Sequence, residues 1–381
     1  MPVYEYQKTG WFFAQVPREW VEEAEEELTS LGARSLRPVH RGIHFETDLE
    51  GLYRITYGTR LATRILAPLL RFRCHAPKYL YKRAREADWP DLIGANRTFA
   101  VFSSVANSRI RHSRYAALKL KDAVVDAVRD ASGRRPDVDR NDPDVWIGLH
   151  VENDWATIHL DASGGSLHKR GYRVRSVDAP MQETLAAAVV RLSGWDGSRP
   201  LADPMCGSGT LLCEALMAHA RIPSQSLRER FGFERLPDYD PSTWRRVRKA
   251  ADGAVRPPAP GLITGSDLAS EAVRAARANL ERLPHGHGVQ VVRADFRDLP
   301  SLEGAVILCN PPYGVRMGSP GGAARLHREL GDFLKQRCTG ASAFIYFGDP
   351  GLVSAIGLRP AWKRPLRNGG LDGRLARFDL Y

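Results

Sequence analysis

Four short stretches carry side chains that could do chemistry. ILCNPPYG, residues 307–314, ends an apolar run on Asn310 and then stiffens the backbone with Pro311 and Pro312 before Tyr313. An asparagine oxygen and a proline carbonyl can both accept from one exocyclic NH2 group, and two acceptors fix the direction of that nitrogen's lone pair. Proline has no N–H and a fixed φ, so the turn keeps its carbonyl aimed. Tyr313 offers an aromatic face to a base taken out of its stack. DPMCGSGT, residues 203–210, is a glycine-rich turn from a strand into a helix, and Gly207 and Gly209 let the backbone pass close under a ligand. The spacing is wrong for a phosphate loop, and the dinucleotide fingerprint GxGxxG is incomplete because Cys213 replaces its last glycine. The leading Asp203 points to a ligand carrying a cation. Asp267 ends the next strand, where a carboxylate accepts from both ribose hydroxyls. Asp295, past a third strand, can meet an adenine amine. Each acid alone also fits a helix N-cap, but three at successive strand ends make a pattern.

Those strands belong to a C-terminal half in which short, nearly continuous apolar runs alternate with helical stretches: PLADP, LITGSD, VQVVRAD, AVILCN and ASAFIYFG. Strands buried on both faces of a parallel sheet read this way, and ligands bind outside their C-terminal ends. RLARFDLY reads as a closing strand. The interval between Arg221 and Pro260 is too long for a minimal α/β unit and reads as an excursion, partly helical, with a basic helix on the outside of the domain. The N-terminal half mixes strands (WFFAQV, GIHFET, FAVFSSVA, DVWIGLHVEN, WATIHLDAS) with two amphipathic helices ended by Gly32 and Gly133, which describes an α+β region. The glutamate run at 22–27 reads as a solvated helix face.

Composition narrows the partners. With 55 Lys and Arg against 44 Asp and Glu, the formal net charge is +11, which favours a polyanion. The charge is uneven. Residues 1–50 hold five basic side chains against ten acidic ones, and residues 71–121 hold twelve against three. The basic segment is therefore the expected polyanion-binding module, with Arg109, Arg111, Arg114, Lys119 and Lys121 as candidates for phosphate contacts. No apolar run reaches the roughly 18 residues of a membrane span, and no secretory signal opens the chain. Five cysteines without a CxxC pair argue against a disulfide framework or zinc ribbon, and the histidines show no paired ligand spacing, so no metal is expected. The expected address is the cytoplasm.

With KLKDAVVDAVRDASGRRPDV, LDASGGSLHKRGYR and DAPMQETLAAA, these motifs make the chain resemble the S-adenosylmethionine-dependent class I methyltransferases that modify exocyclic base amines. It is similar in particular to the bacterial THUMP-domain guanine-N(2) methyltransferases of 23S rRNA. The similarity covers essentially the whole chain, departing at Gly373 in NGGLDGRLARF, where the family more often has a cysteine. The family includes fused two-methyltransferase forms, whereas this chain has room for one. The resemblance implies an α/β fold, with a Rossmann-like methyltransferase domain at 180–381 preceded by an α+β THUMP-containing RNA-binding region. That region would divide into a ferredoxin-like subdomain at 1–65, a THUMP domain at 66–163 and a basic linker at 164–179 whose Lys169 and Arg170 also meet RNA.

By the same resemblance Asp203, Met205, Cys206, Gly207, Gly209 and Thr210 line the methionine end of S-adenosylmethionine. Asp267 and Leu268 hold the ribose side, Asp295 and Phe296 the adenine, and Asn310 adjoins both cofactor and target. Asn310, Pro311, Pro312 and Tyr313 hold the guanine, and the protein acts as a monomer. Cys206 and Cys309 read as packing residues, not as nucleophiles. Related THUMP enzymes acting on tRNA share much of the pattern. DNA adenine-N(6) methyltransferases share the NPPY logic. An inactive methyltransferase fold that only binds RNA is disfavoured by the intact motifs, and an NAD-dependent oxidoreductase by the incomplete fingerprint.

Overall fold

In the N-terminal unit, residues 1–167 and 228–250, seven strands form one continuous sheet. They are β1 (Trp11–Gln15), β2 (Arg34–Val39), β3 (Gly42–Glu46), β4 (Arg64–Arg73), β5 (Phe99–Ala106), β6 (Val145–Glu152) and β7 (Trp155–Asp161), in the order β2-β3-β1-β4-β7-β6-β5. The computed structural model describes residues 2–94, 96–177, 180–312 and 321–381. Strands β6 and β7 turn through Asn153 and Asp154, whose φ values of 51° and 60° are the left-handed pair a two-residue hairpin needs. Strand β4 joins the two halves of the sheet by pairing with β1 on one side and β7 on the other. RILAPLLRFR does not alternate cleanly because a bulge between Pro68 and Leu70 shifts its register. That break hides it from period-two reading.

Helix Ser113–Ser132 lays Leu120, Val124 and Val128 into the core and ends at Gly133 with φ 71°. Helix Val21–Ser30 buries Ala24 and Leu28. Its acidic run is not uniformly solvated. Glu27 accepts from Thr59 Oγ1 at 2.7 Å and from the Arg60 and Leu61 N–H groups at 2.9 and 3.2 Å, fixing the loop after helix Leu49–Gly58.

The excursion is where the domain bounds differ from the sequence expectation. Residues 228–250, expected within 180–381, belong by their contacts to the N-terminal unit. The reason is aromatic. Trp244 is buried, with ring centroids 5.2 Å from Tyr57, 5.3 Å from Phe231 and 5.1 Å from Phe233, all near edge-on. Tyr53 lies 4.6 Å from Phe233. Helix Leu49–Gly58 supplies the apolar partners these rings need.

The C-terminal unit, residues 168–227 and 251–381, holds the second seven-stranded sheet. Its strands are β8 (Leu201–Asp203), β9 (Ile263–Asp267), β10 (Gln290–Arg293), β11 (Val306–Cys309), β12 (Ser342–Phe347), β13 (Trp362–Asn368) and β14 (Leu371–Asp379), ordered β10-β9-β8-β11-β12-β14-β13. The first five are parallel, β14 runs antiparallel to them, and β13 pairs antiparallel with β14. The chain winds outward from β8 through β9 to β10 and then crosses to β11 on the other side. That reversal opens a crevice at the strands' C-terminal ends.

Gly373 explains its own departure from the family pattern. A Cβ there would lie 2.1 Å from the Tyr346 hydroxyl, which donates to the Leu366 carbonyl at 3.1 Å. Tyr346 occupies the space a side chain would need. All five cysteines are buried and unpaired. Among the described residues no helix is long and apolar enough to cross a membrane, and no His/Cys/Asp/Glu group could hold a metal.

Candidate active site

Each acid singled out in the sequence sits at a strand end of the parallel sheet, but they differ in what surrounds them. Asp203 ends β8 and is 1% exposed. Its one hydrogen bond among those observed is from the Met205 N–H at 3.2 Å. Burial, with the nearby Asp267 carboxylate adding to it, pushes the Asp203 carboxyl well above the ordinary range. Asp267, at the end of β9, accepts from the Gly207 N–H at 2.9 Å and from the Ala269 N–H at 2.9 Å. It therefore pins the glycine-rich turn to the neighbouring strand. One lone pair remains on each oxygen.

The turn between β8 and helix Thr210–His219 is built for close approach. Gly207 and Gly209 have φ of 54° and 79°, a region that side chains rarely adopt. A Cβ on Gly209 would also lie 3.0 Å from the Ala276 Cβ. Cys206 N–H donates to the Ser266 carbonyl at 2.9 Å, and Gly209 N–H to the Cys206 carbonyl at 2.8 Å. Leu268 is 60% exposed directly after Asp267, an apolar side chain left to solvent. Asp295 caps the short helical turn Phe296–Asp298, accepting from the Arg297 N–H at 3.0 Å and from Arg297 Nε at 2.8 Å. This guanidinium holds the Asp295 carboxyl below the usual range.

Across the switch point, the register that sets Val306 beside Leu201 and Ile307 beside Ala202 brings Asn310 to the same end of the sheet as Asp203. Asn310 Oδ1 is buried and has no hydrogen-bond partner among the described residues. An unmade bond at a buried acceptor costs about 1–3 kcal/mol. Pro311 and Pro312 follow directly. Tyr313 lies outside the described residues. Cys206 and Cys309 are buried, and burial raises both thiols well above their ordinary value. They are neutral thiols packed against the site, without the thiolate that a covalent mechanism needs.

Several expected contacts are placed elsewhere. The Phe296 ring is buried in the core, 5.7 Å from Phe333, so only its backbone faces outward chemistry. The Thr210 hydroxyl accepts from Arg173 Nη2 at 3.1 Å, and Met205 packs against the apolar cluster behind β11 and β12. Arg170 is a correction. It is not a surface cation for RNA: its side chain is fully buried, with Nε 3.3 Å from Glu214 Oε1, which also accepts from the Tyr172 hydroxyl at 3.1 Å. Lys169 remains exposed beside it, as do Arg109, Arg111 and Arg114, while Lys119 and Lys121 are half-buried. Lys121 pairs with Asp122 at 2.7 Å, and Arg109 lies 3.6 Å from Asp154.

Sequence reading passed over the layer behind the glycine-rich turn. Asn279, 1% exposed on helix Ser270–Leu280, accepts from the Val174 and Arg175 N–H groups at 2.9 and 3.0 Å. Its amide donates to the Arg175 and Ser208 carbonyls at 2.8 and 2.9 Å. One side chain thus ties the strap after Arg170 to the turn itself. A signal existed. Glu214 is a lone acid in the apolar helix TLLCEALMAHA, and a buried carboxylate requires a cation.

A strand order of this kind, with acids at the ends of β8, β9 and β10 and Asn-Pro-Pro at the end of β11, defines a class I methyltransferase domain. The chain belongs to the RMKL-like methyltransferase family, whose domain model matches residues 170–377. A THUMP domain matches residues 77–161, and the RlmL ferredoxin-like domain matches 19–66. A Synechocystis protein provisionally named RNA methyltransferase slr0064 is 36% identical over 97% of both chains. Ribosomal RNA large subunit methyltransferase K/L of Photobacterium profundum is 37% identical over 91% of this chain, and that of Pseudomonas paraeruginosa 38% over 93%. The chain spans about half the length of these K/L relatives, 50% of each. SMU.472, provisionally described as a methyltransferase and solved with S-adenosylhomocysteine, is 26% identical with a TM-score of 0.84 over 98% of each chain.

The buried ion pair separates folding from RNA binding. Arg170→Ala leaves Glu214 buried without its Arg170 partner, so the expected outcome is a loss of roughly 3–5 kcal/mol of stability, read as a lower midpoint in denaturant. A variant of wild-type stability that had lost only RNA affinity would contradict the assignment.

Proposed function

We propose that this chain is an S-adenosylmethionine-dependent RNA methyltransferase that methylates the exocyclic N(2) amine of a guanine in 23S rRNA. The observation that carries the reading is the Asn310 Oδ1 at the end of β11, buried and without a partner among the described residues, followed by two prolines at the end of the sheet where Asp203 also lies. The K/L relatives and the THUMP match support ribosomal RNA as substrate.

The residues present fit the cofactor. Asp203, buried with a single weak donor, would accept from the α-ammonium at the methionine end. Gly207 and Gly209 leave room for a ligand against the backbone, and Met205, Cys206 and Thr210 shape the turn from behind. The free lone pairs of Asp267 would accept from the ribose hydroxyls. Leu268 would give the adenine an apolar face, with Asp295 and the Phe296 N–H at its polar edge. Bound there, S-adenosylmethionine supplies an electrophilic methyl group.

The chain's own part is positional. A guanine amine is a poor nucleophile because its lone pair is delocalised into the ring. Asn310 Oδ1 and the Pro311 carbonyl accept one N–H each, which turns the lone pair toward the methyl group and stabilises charge as it develops. The prolines hold that acceptor pair rigid. Tyr313, outside the described residues, would stack on the flipped base. The neutral, buried cysteines take no part, and the amine's proton leaves to solvent. Lys169 and the exposed cations Arg109, Arg111 and Arg114 would contribute phosphate contacts that weaken with salt.

Asn310→Ala should abolish methyl transfer while leaving the S-adenosylmethionine Kd within a few-fold of wild type, measured by calorimetry beside a labelled-methyl assay. Wild-type turnover by this variant would sink the assignment. A pH dependence follows from Asp203. Its carboxyl is raised in the free protein, and a neighbouring cation favours the ionised form. Cofactor affinity should therefore be full above that raised value and fall as pH drops through it. Asp203→Asn should bind weakly at every pH, with a flat profile; a wild-type profile equally flat would remove Asp203 from the cofactor's cationic end.

A further inference from the structure

In the middle of the N-terminal unit's sheet, the paired strands β4 and β7 expose Arg71, Arg73 and Trp155. Strand alternation on β4 would point Leu70 and Phe72 outward if it ran unbroken from Pro68. The bulge between Pro68 and Leu70 adds a residue, so Arg71 and Arg73 take the exposed face and Phe72 turns into the core at 5% exposure. The register sets Arg73 directly opposite Trp155 and Arg71 opposite Thr157. Both guanidinium groups lie over the Trp155 ring, at 4.8 and 5.2 Å from its centroid, and Trp155 remains 37% exposed. On the same face Arg37 lies 4.4 Å over the Trp11 ring. A bulge that re-aims two arginines onto one tryptophan is a costly arrangement for a merely solvated surface.

Arg71 and Arg73 also line a cavity of about 480 Å³ together with Tyr79, Lys82, Arg83 and Glu86. Four cations face one acid there, and Glu86 is already paired with Arg83 at 2.7 Å. Tyr79 is 43% exposed at the cavity's edge and stacks near His75, 4.9 Å between ring centroids. Cations lining a concavity beside half-exposed aromatic and guanidinium planes match a polyanion with unpaired bases. Phosphates enter the cavity, and a base stacks on the tryptophan–arginine platform. A paired duplex presents no free base face, and a protein partner would need acids where this surface offers cations.

We infer that the β4–β7 platform, Arg71, Arg73 and Trp155 with the Lys82–Arg83 cavity, holds a single-stranded segment of the substrate RNA. The inference rests on the RNA reading above and moves the principal contact from the Arg109–Lys121 helix region to the sheet. Arginine contributes the phosphate attraction, and Trp155 contributes a stacking surface indifferent to sequence.

The test uses the full chain and a dye-labelled single-stranded RNA of mixed sequence, alone and annealed to its complement, with affinity followed by anisotropy over a salt series. Trp155→Ala should weaken single-strand binding about tenfold without changing the salt slope, and Trp155→Phe should restore most of it. Arg71→Gln with Arg73→Gln should reduce the slope by roughly 1.4, at ~0.7 per lost phosphate contact on a single strand. S-adenosylmethionine affinity should stay unchanged in every variant, which also reports folding of the catalytic unit. If the wild type binds and methylates RNA while these variants bind it equally well, the platform is wrong and the RNA reading stands. If the wild type binds cofactor but no RNA of either form, both fall. If Trp155→Ala alters only self-association, the face belongs to a second copy of the chain and the inference is overturned.

Discussion

The catalytic unit holds a carboxylate that has been taken out of water with no cation beside it among the described residues. Asp203 is buried at the end of the central strand, and a second carboxylate, Asp267, stands next to it. An isolated buried charge is expensive enough that the group protonates or finds a partner. Among the described residues the hydrogen bonds they accept come from backbone N–H groups: Met205 to Asp203, Gly207 and Ala269 to Asp267. In the proposed function a cationic ligand group would supply the missing partner, and the glycine turn, the strand order and the opposed Asn310 carbonyl would bring that ligand and an amine to one place.

A turn with two left-handed glycines has little rigidity of its own, so it is held from behind. Asp267 grips Gly207, while Asn279 grips Ser208 and at the same time fastens the strap of residues 174–175. Arg170, Tyr172 and Glu214 form a buried polar knot in the same unit. These groups do not touch a substrate. They decide where the backbone that does so will lie.

Much of this was legible in the sequence, and the exceptions have physical causes. Strands β8 to β12 were readable because strands buried on both faces are uniformly apolar, and the acids at their ends because a charge directly after an apolar run is conspicuous. Arg170 was misjudged because a basic linker looks solvated until its partner Glu214, forty-odd residues on by sequence numbering, is seen folded against it. Strand β4 was hidden by its bulge. The excursion around Trp244 was placed with its chain neighbours, whereas the rings of Tyr53 and Tyr57 draw it to the N-terminal unit. Local pattern reports local structure; pairing across long separations is decided by burial, which no window of sequence contains.

The central claim is that this one site methylates a guanine amine in ribosomal RNA, and product analysis tests it most directly. Labelled S-adenosylmethionine would be offered with the full chain to separate pools of unmodified 23S rRNA, 16S rRNA, tRNA and DNA, followed by nucleoside mass spectrometry. The account predicts label in 23S rRNA recovered as N(2)-methylguanosine. Label recovered as N(6)-methyladenosine, or confined to DNA, would contradict it.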